Sequence, residues 1–584
     1  MYNENIEYKR GMGMFLSRVT EPSFWADVKT NPKYQPLVEE VRQMWEKEAQ
    51  APLTALPYSD FVLFSTTGDR KQYETPYFIR RRALNGAAIM ALLYPEDDQY
   101  IRRLEDIIFA ICDEYTWCVP AHQPTFEKVC TDHIDLFASE VGFALCEIDF
   151  LLGDRLSPLV RERITARLEE RIVAPFLDES RDFIWYHIKN NWAAVCLCGV
   201  AGVIMYRHPE LFWRLKPRFD ISMQCFLDSF GDDGFCTEGI GYWRYGFGFF
   251  TVYADMVRQF TKGEIDLFKL PKVKSIATFK QKMFLSGKAS VSFADGQRTA
   301  TGDYALSHYL HREYPDMVQL TDLTGAKGTD HCGRWCLHIR SFEWFDEETE
   351  PSPSPTVACY YGEDAQWTVY KTPHFGFAAK AGHNEEPHNH NDVGHFILAA
   401  NGKQVFGDLG AGLYNKPYFR LPFRYETFHC ASFGHSVPIF GQGEKDLNRI
   451  CQRVGQEHQA KEVETAPGYF AFDMAEAYGD KRIGRIHRSF KMSENGILLK
   501  DCFGVDEGLK ITERLILLEK PILSANGFET EQFACTVRGE ASSIEVREEK
   551  LIEHDAVSFV TVYLLDITLS EKEREFQLEI EYKQ

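Results

Sequence analysis

Along the first ~340 residues the apolar positions recur at intervals of three and four, the spacing of a helix face. Asp97 stands before Ile101, Leu104, Ile108, Ile111 and Tyr115, which predicts a helix capped by the Asp97 carboxylate. Ser157-Pro158 followed by Val160, Ile164, Leu168 and Ile172 predicts a second, with proline at its first position and Gly153 closing the helix before it. Similar stretches lie near 33–48, 77–93, 132–152, 190–206, 217–230 and 239–262. Many helices of moderate length with short breaks predict antiparallel pairs, arranged as a toroid or a solenoid. No internal repeat marks a regular solenoid.

The period changes to two after Pro351-Ser352-Pro353-Ser354-Pro355, which reads as a linker. Phe396–Ala400, Asn401-Gly402 and Lys403–Phe406 form a hairpin signal with a type I′ turn. Phe576, Leu578, Ile580 and Tyr582 alternate with polar residues, and Val557–Leu565 reads as another strand. The expected architecture is a helical domain over 1–345 followed by an all-β domain over 356–584, built of stacked sheets.

The length of 584 residues calls for two domains, and 44% hydrophobic content supports packed cores. A net charge of −21 argues against nucleic acid, so an anionic ligand would need a basic pocket inside an acidic body. The 14% aromatic share suits sugar-binding walls, although rings are more often core material. Fifteen scattered cysteines, with no regular spacing, read as reduced thiols and not a disulfide framework. No signal peptide or membrane-spanning run is visible, so the expected setting is cytoplasmic with no membrane partner. A homo-oligomer is compatible with the sequence, which does not decide it.

The chemically richest stretch is His388-Asn389-His390-Asn391-Asp392-Val393-Gly394-His395, followed by the hairpin and Gly407-Asp408-Leu409-Gly410. Histidine and aspartate are good zinc ligands, and a histidine outside the metal set can move protons. A polar loop of hydrogen-bonded histidines is the plainer reading, about equally weighted on composition alone.

The segment "HNHNDVGHFILAANGKQVFGDLGAGLY" resembles the start of the β-domain in heparinase II/III-like polysaccharide lyases. Gly434-His435-Ser436-Val437-Pro438 is similar to the family's later histidine. In the helical half, Asn190-Asn191-Trp192 and Asp233-Gly234-Phe235-Cys236-Thr237-Glu238-Gly239-Ile240-Gly241-Tyr242-Trp243-Arg244-Tyr245 resemble its asparagine and catalytic-tyrosine elements. The resemblance implies an (α/α) toroid followed by an antiparallel β-sandwich. It implies cleavage of a uronate-containing oligosaccharide by β-elimination, leaving a 4,5-unsaturated end.

Such a reaction removes the proton on C5 beside the carboxylate and expels the oxygen on C4. A donor must neutralise the carboxylate, a base must take the proton and an acid must protonate the leaving oxygen. The resemblance assigns Asn191 to the carboxylate, with Asn190 or His187 as substitutes, and Tyr242 and His388 to the proton transfers. Tyr425 is the expected second tyrosine. Tyr245, one turn from Tyr242, is its rival or a substrate contact. Glu238 would orient a catalytic group, and Arg244 or His388 would steady a phenolate. A structural zinc is implied at His390, Asp408 and His435. Strict pairing about the Asn401-Gly402 turn puts His395 opposite Asp408 and keeps it open as a rival to His390. Trp192 departs from the histidine that several members carry after the paired asparagines.

Two other clusters read as structure first: Arg80-Arg81-Arg82 as a solvated face, and Asp330-His331-Cys332 with Cys336 and His338 as an unmatched, metal-like spacing. The competing functions are a toroid glycoside hydrolase using Asp232, Asp233 and Glu238, and a silent glycan-binding protein.

Overall fold

A computed structural model describes residues 15–125, 128–320, 323, 325–346, 348–352, 357–441, 449–570 and 572–583; part of the Pro351–Pro355 linker lies outside them. The chain divides into two compact units. One comprises 1–229, 244–274 and 301–352, and the other 230–243, 275–300 and 353–584.

The first unit is helical. Asp97 caps the helix Asp98–Cys112 by accepting from the Gln99 N–H, and Ile101, Leu104, Ile108 and Ile111 are buried. Tyr115 lies beyond the end of that helix and is exposed, so it does not extend the stripe. Ser157 caps Pro158–Leu168 through the Val160 N–H, and Val160, Ile164, Leu168 and Ile172 are all buried. The helices Gln35–Met44, Lys71–Leu93, Leu136–Leu152, Asn191–Arg207, Phe212–Leu227 and Ile240–Phe260 match the other expected stretches. Arg80, Arg81 and Arg82 are not a solvated face. Arg81 makes two 2.6 Å bonds to the buried Glu114 carboxylate, Arg80 joins it at 3.1 Å, and Arg82 pairs with Glu48 at 2.7 Å.

In the second unit, one eight-stranded and one nine-stranded sheet are antiparallel at every pairing among the described residues. Asn401 and Gly402 take φ of 51° and 77°, both positive, as the type I′ turn requires. The register then slips by one residue between Ala399↔Gln404 and Leu398↔Phe406, a bulge the two-residue turn did not announce. Phe576, Leu578 and Ile580 are buried on one sheet, while Phe377, Phe396 and Phe406 are buried on the other. They share one apolar cluster, with Phe377 and Phe490 rings 5.1 Å apart.

At the heart of that cluster lies a fully buried arginine. Arg488 bonds Asp501 on its own sheet at 2.9 and 2.5 Å and Glu513 on the other sheet at 3.0 Å. Its remaining N–H groups donate to the carbonyls of Gly394 and Ser436, both at 2.8 Å. A buried guanidinium is tolerable only when its donors are matched in this way.

Candidate active site and metal centre

Tyr242 opens the helix Ile240–Phe260 and falls, with 230–243, in the sheet-bearing unit. Its ring stacks on His388, with centroids 4.2 Å apart and planes at 25°. Its hydroxyl lies 2.9 Å from that of Tyr414, and Tyr414 donates to Asp295 Oδ2 at 2.8 Å. A phenol carries one proton and a carboxylate only accepts, so Tyr414 spends its proton on Asp295 and accepts that of Tyr242. The result is an ordered relay, Tyr242 to Tyr414 to Asp295.

His388 is oriented by the same carboxylate. Its Nδ1 lies 2.6 Å from Asp295 Oδ2, which places the ring proton on Nδ1 and leaves the Nε2 lone pair 3.6 Å from Glu238 Oε2. The backbone at His388 has φ of +59°, an uncommon conformation for a residue with a side chain and one concentrated at functional sites. Glu238 is thus brought beside His388.

Asp295, which sequence reasoning missed, is the hub. It is fully buried and also accepts from Tyr418 at 2.5 Å, His390 Nε2 at 3.1 Å and Arg424 Nη2 at 3.1 Å. Burial opposes its charge, but the two histidine hydrogen bonds and the Arg424 guanidinium hold its carboxyl well below the usual range. Burial and then the Asp295 charge push the Tyr414 phenol well above 10. Close packing fixes the loops around it: a Cβ on Gly410, where φ is +64°, would sit 1.9 Å from the Gly296 carbonyl.

Tyr425 is elsewhere. Its hydroxyl accepts from Asn389 Nδ2 at 3.3 Å, and the tyrosine beside Tyr242 is Tyr414. Tyr414 ends the very segment that carries the family resemblance, a signal no spacing rule picks out.

In the helical unit, Asn190 is the cap of Asn191–Arg207, its Oδ1 accepting from the Trp192 N–H at 2.9 Å. Asn191 is buried, and among the described residues its amide makes no hydrogen bond. It packs on Gly246, where an added Cβ would lie 3.0 Å from the Asn191 Cβ. His187 is exposed and pairs with Asp182 at 2.9 Å. Tyr245 donates to Glu140 under the Arg334 guanidinium, which lies 3.7 Å from the ring centre. Burial pushes Glu140 up to about 7 and the Tyr245 phenol well above 10. Arg244 follows Tyr242 by two, a spacing that turns side chains apart, and its charge bears on Glu40, Asp330 and His338. His331 and Cys332 contact each other, His338 meets Asn85, and among the described residues no metal-holding group forms there.

The donor atoms of His390, Asp392, Asp408 and His435 lie within 4.8 Å of one another, all buried. His435 Nδ1 donates to the Ala431 carbonyl at 3.0 Å, leaving Nε2 with a bare lone pair. His390 Nε2 donates to Asp295, leaving Nδ1 bare, and these two lone pairs face each other at 3.3 Å. Asp408 Oδ2, 3.8 Å from His435 Nε2, and Asp392 Oδ2 are buried without hydrogen-bond partners. Two lone pairs and two carboxylate oxygens aimed at one point ask for a cation. Zinc bonds of ~2.0–2.2 Å in a tetrahedron set donors roughly 3.4 Å apart, close to these separations.

Burial alone would lower the His390 pKa, but Cys430 and Asp295 raise it to about 10, so a metal binding at Nδ1 would displace a proton from it. Burial keeps His435 neutral, pushed down to about 4. His395 drops out as a ligand: its Nδ1 accepts from the Ser436 N–H at 2.9 Å, so its proton sits on Nε2, facing Asp408 at 3.3 Å. Asp295, His390 and Cys430 form a second such group, and Cys430 was not anticipated.

No helix among the described residues is long and apolar enough to cross a membrane. No sequence-family model matches the chain, and no curated protein sequence matches it. Solved structures do. Heparinase III aligns over 95% of this chain and 92% of its own, with 13% identity and a TM-score of 0.61. The heparan sulfate lyase of Pedobacter heparinus aligns over 94% and 88%, at 11% identity and 0.54. The chondroitin AC lyase of Streptomyces coelicolor A3, solved with chondroitin sulphate, aligns over 96% and 82%, at 11% and 0.54. The chain therefore has the fold of the heparinase-like polysaccharide lyases.

Proposed function

We propose that the protein is a carbon–oxygen lyase that cleaves a uronate-containing, acidic oligosaccharide by β-elimination, on an (α/α) toroid joined to a β-sandwich. The observation that carries the reading is the Tyr242–Tyr414–Asp295 relay with His388 stacked on Tyr242. An eliminating enzyme needs a proton donor at the leaving oxygen and an acceptor at C5. Tyr242 holds a proton that can go to the C4 oxygen, and Tyr414 and Asp295 hold it in place until then. His388 presents an unprotonated Nε2 to the C5 proton. Asn191, buried with an uncommitted amide, is assigned to the substrate carboxylate, whose charge rises as C5 gives up its proton. Zinc at His390, Asp408 and His435 with Asp392 would supply a fixed positive charge that holds the His388–His395 segment to the His435 loop.

The hydrolase reading is less well supported. Asp233 is committed to the backbone N–H groups of Phe235, Asp364 and Ala365, at 2.9–3.0 Å, which is the work of a turn and not of a general acid. The test is a panel of heparan sulfate, chondroitin sulfate, hyaluronan, alginate and ulvan oligosaccharides. Growth of the ultraviolet absorbance of an unsaturated uronate on one of them is the expected result. New reducing ends without that absorbance would favour hydrolysis, and tight binding without cleavage would favour a silent glycan-binding protein.

A further inference from the structure

The relay works only while two separate segments keep their distance: 292–298, which carries Asp295, and 410–415, which carries Tyr414. One hairpin touches both. Its strands, Ala541–Ile552 and Phe559–Leu569, pair as far as Ile552↔Phe559, and residues 553–558 form the tip. Glu553 pairs with Arg298, three residues past Asp295. His554, next along, donates from Nδ1 to the Gly412 carbonyl at 2.9 Å. Its ring stands at 84° to that of Tyr414, with centroids 4.3 Å apart. The tip is stiff enough to transmit a position. The Glu553 N–H donates to the Ser558 carbonyl at 2.9 Å, and the Ala556 N–H to the Glu553 carbonyl at 3.0 Å. Asp555 Oδ1 accepts from the N–H groups of Val557 and Ser558, both at 2.8 Å. Gly412 is held from its other side as well: its N–H donates to the Tyr418 hydroxyl at 3.1 Å, and Tyr418 donates to Asp295. A Cβ on Gly412 would lie 2.9 Å from Tyr418 Cε2 and 3.1 Å from the His429 ring, so the backbone is closely packed there.

We propose that His554 is a positioning residue of the proton relay: by holding the Gly412 carbonyl and the Tyr414 ring, it fixes where the Tyr414 hydroxyl meets those of Tyr242 and Asp295. The assignment deepens the lyase reading and rests on it for the reaction served. A bond to a backbone carbonyl and an edge-on ring contact set the place of a phenol and leave its own donor and acceptor uncommitted. Those are the two contacts His554 makes, while Glu553 ties the same tip to the segment of Asp295. A shift of ~1 Å in a reacting group costs up to ~10²-fold in rate, so a support of this kind bears on turnover and not on substrate binding.

The test is a double-mutant cycle in the full-length protein: His554→Phe, Tyr414→Phe and the two together, with His554→Asn beside them. His554→Phe keeps a ring next to Tyr414 and removes the donor to Gly412, and His554→Asn returns an amide N–H near the place of Nδ1. On the panel oligosaccharide that is cleaved, His554→Phe is expected to lower kcat roughly tenfold with KM within about twofold, and His554→Asn to recover most of that loss. In the Tyr414→Phe background His554→Phe should cost less than about twofold more, since a residue acting through Tyr414 then has no hydroxyl left to place. A further loss of about tenfold in that background, an unmoved kcat in His554→Phe, or a change confined to KM would each overturn the assignment and leave the lyase reading intact. Hydrogen exchange at the 411–415 amides needs no substrate, and it should quicken roughly fivefold in His554→Phe, the loosening expected from one lost hydrogen bond. If no acidic oligosaccharide is cleaved, the lyase reading falls and exchange decides alone: quickened, it upholds the hold on Tyr414, and unchanged, it sinks that too.

Discussion

Removing one oxygen from Tyr242 separates its chemistry from its packing. In Tyr242→Phe the ring still stacks on His388 at 4.2 Å, and Tyr414 still donates to Asp295 at 2.8 Å. What goes from the relay is the 2.9 Å link from Tyr242 to Tyr414. Its loss costs about 1 kcal/mol of stability, a shift of about 2–4 °C in Tm. The catalytic loss is far larger if Tyr242 protonates the leaving oxygen. A positioned acid contributes ~10²–10⁴-fold, or about 2.7–5.5 kcal/mol at ~1.36 kcal/mol per tenfold. Initial rates on the cleaved oligosaccharide, read from the unsaturated product, should therefore fall at least a hundredfold while Tm barely moves. Tyr245→Phe sets the comparison: its hydroxyl is committed to Glu140, so stability should suffer and turnover should fall less than about tenfold. Turnover in Tyr242→Phe within tenfold of wild type would refute the relay as the proton source. A larger loss in Tyr245→Phe would move the assignment one helical turn along.

Metal analysis of the purified protein should find about one zinc per chain, and Asp408→Asn or His390→Ala should lose it with a fall in Tm; His395→Ala should keep the metal more nearly intact. Asn191→Ala should lower kcat by roughly a hundredfold with little change in Tm, since its amide supports no bond in the fold; an unchanged kcat would remove it from the reaction. Glu140, with an ordinary value of 4.5 raised to about 7, takes up a proton on folding between those values. Its contribution is therefore full below about 4.5 and lost as pH rises through about 7, and Tm scans across that window should lose this slope in Glu140→Gln.

Much of the fold was legible because its signals are local. The Asp97 and Ser157 caps, the alternation of Phe576, Leu578 and Ile580, and the positive-φ pair Asn401-Gly402 each declare themselves within a few residues. The bulge beyond that turn was not legible, since nothing in Leu398–Phe406 marks the slipped register, yet His395 still comes to 3.3 Å from Asp408. The site divided in the same way. His388, His390 and His435 sit in a recognisable pattern, whereas Asp295 reaches His388 across 93 positions from a stretch with no pattern of its own. Tyr425 was the expected second tyrosine, whereas Tyr414 is the one that meets both Tyr242 and Asp295. Asn190 and Arg81 illustrate the reverse: chemically suggestive residues whose bonds, to the Trp192 N–H and to Glu114, are structural.

The buried Arg488 has a bearing on transplantation. It holds the Gly394 and Ser436 carbonyls, one beside each histidine-bearing loop, from a position 94 and 52 residues downstream. The spacing of the metal donors is thus a property of the sheet beneath them more than of the loops that carry them. A segment such as 388–410 grafted onto another scaffold would bring the side chains without their separations. Lysine in place of Arg488, with one compact ammonium for a planar fork, could not reach both carbonyls and both carboxylates at once.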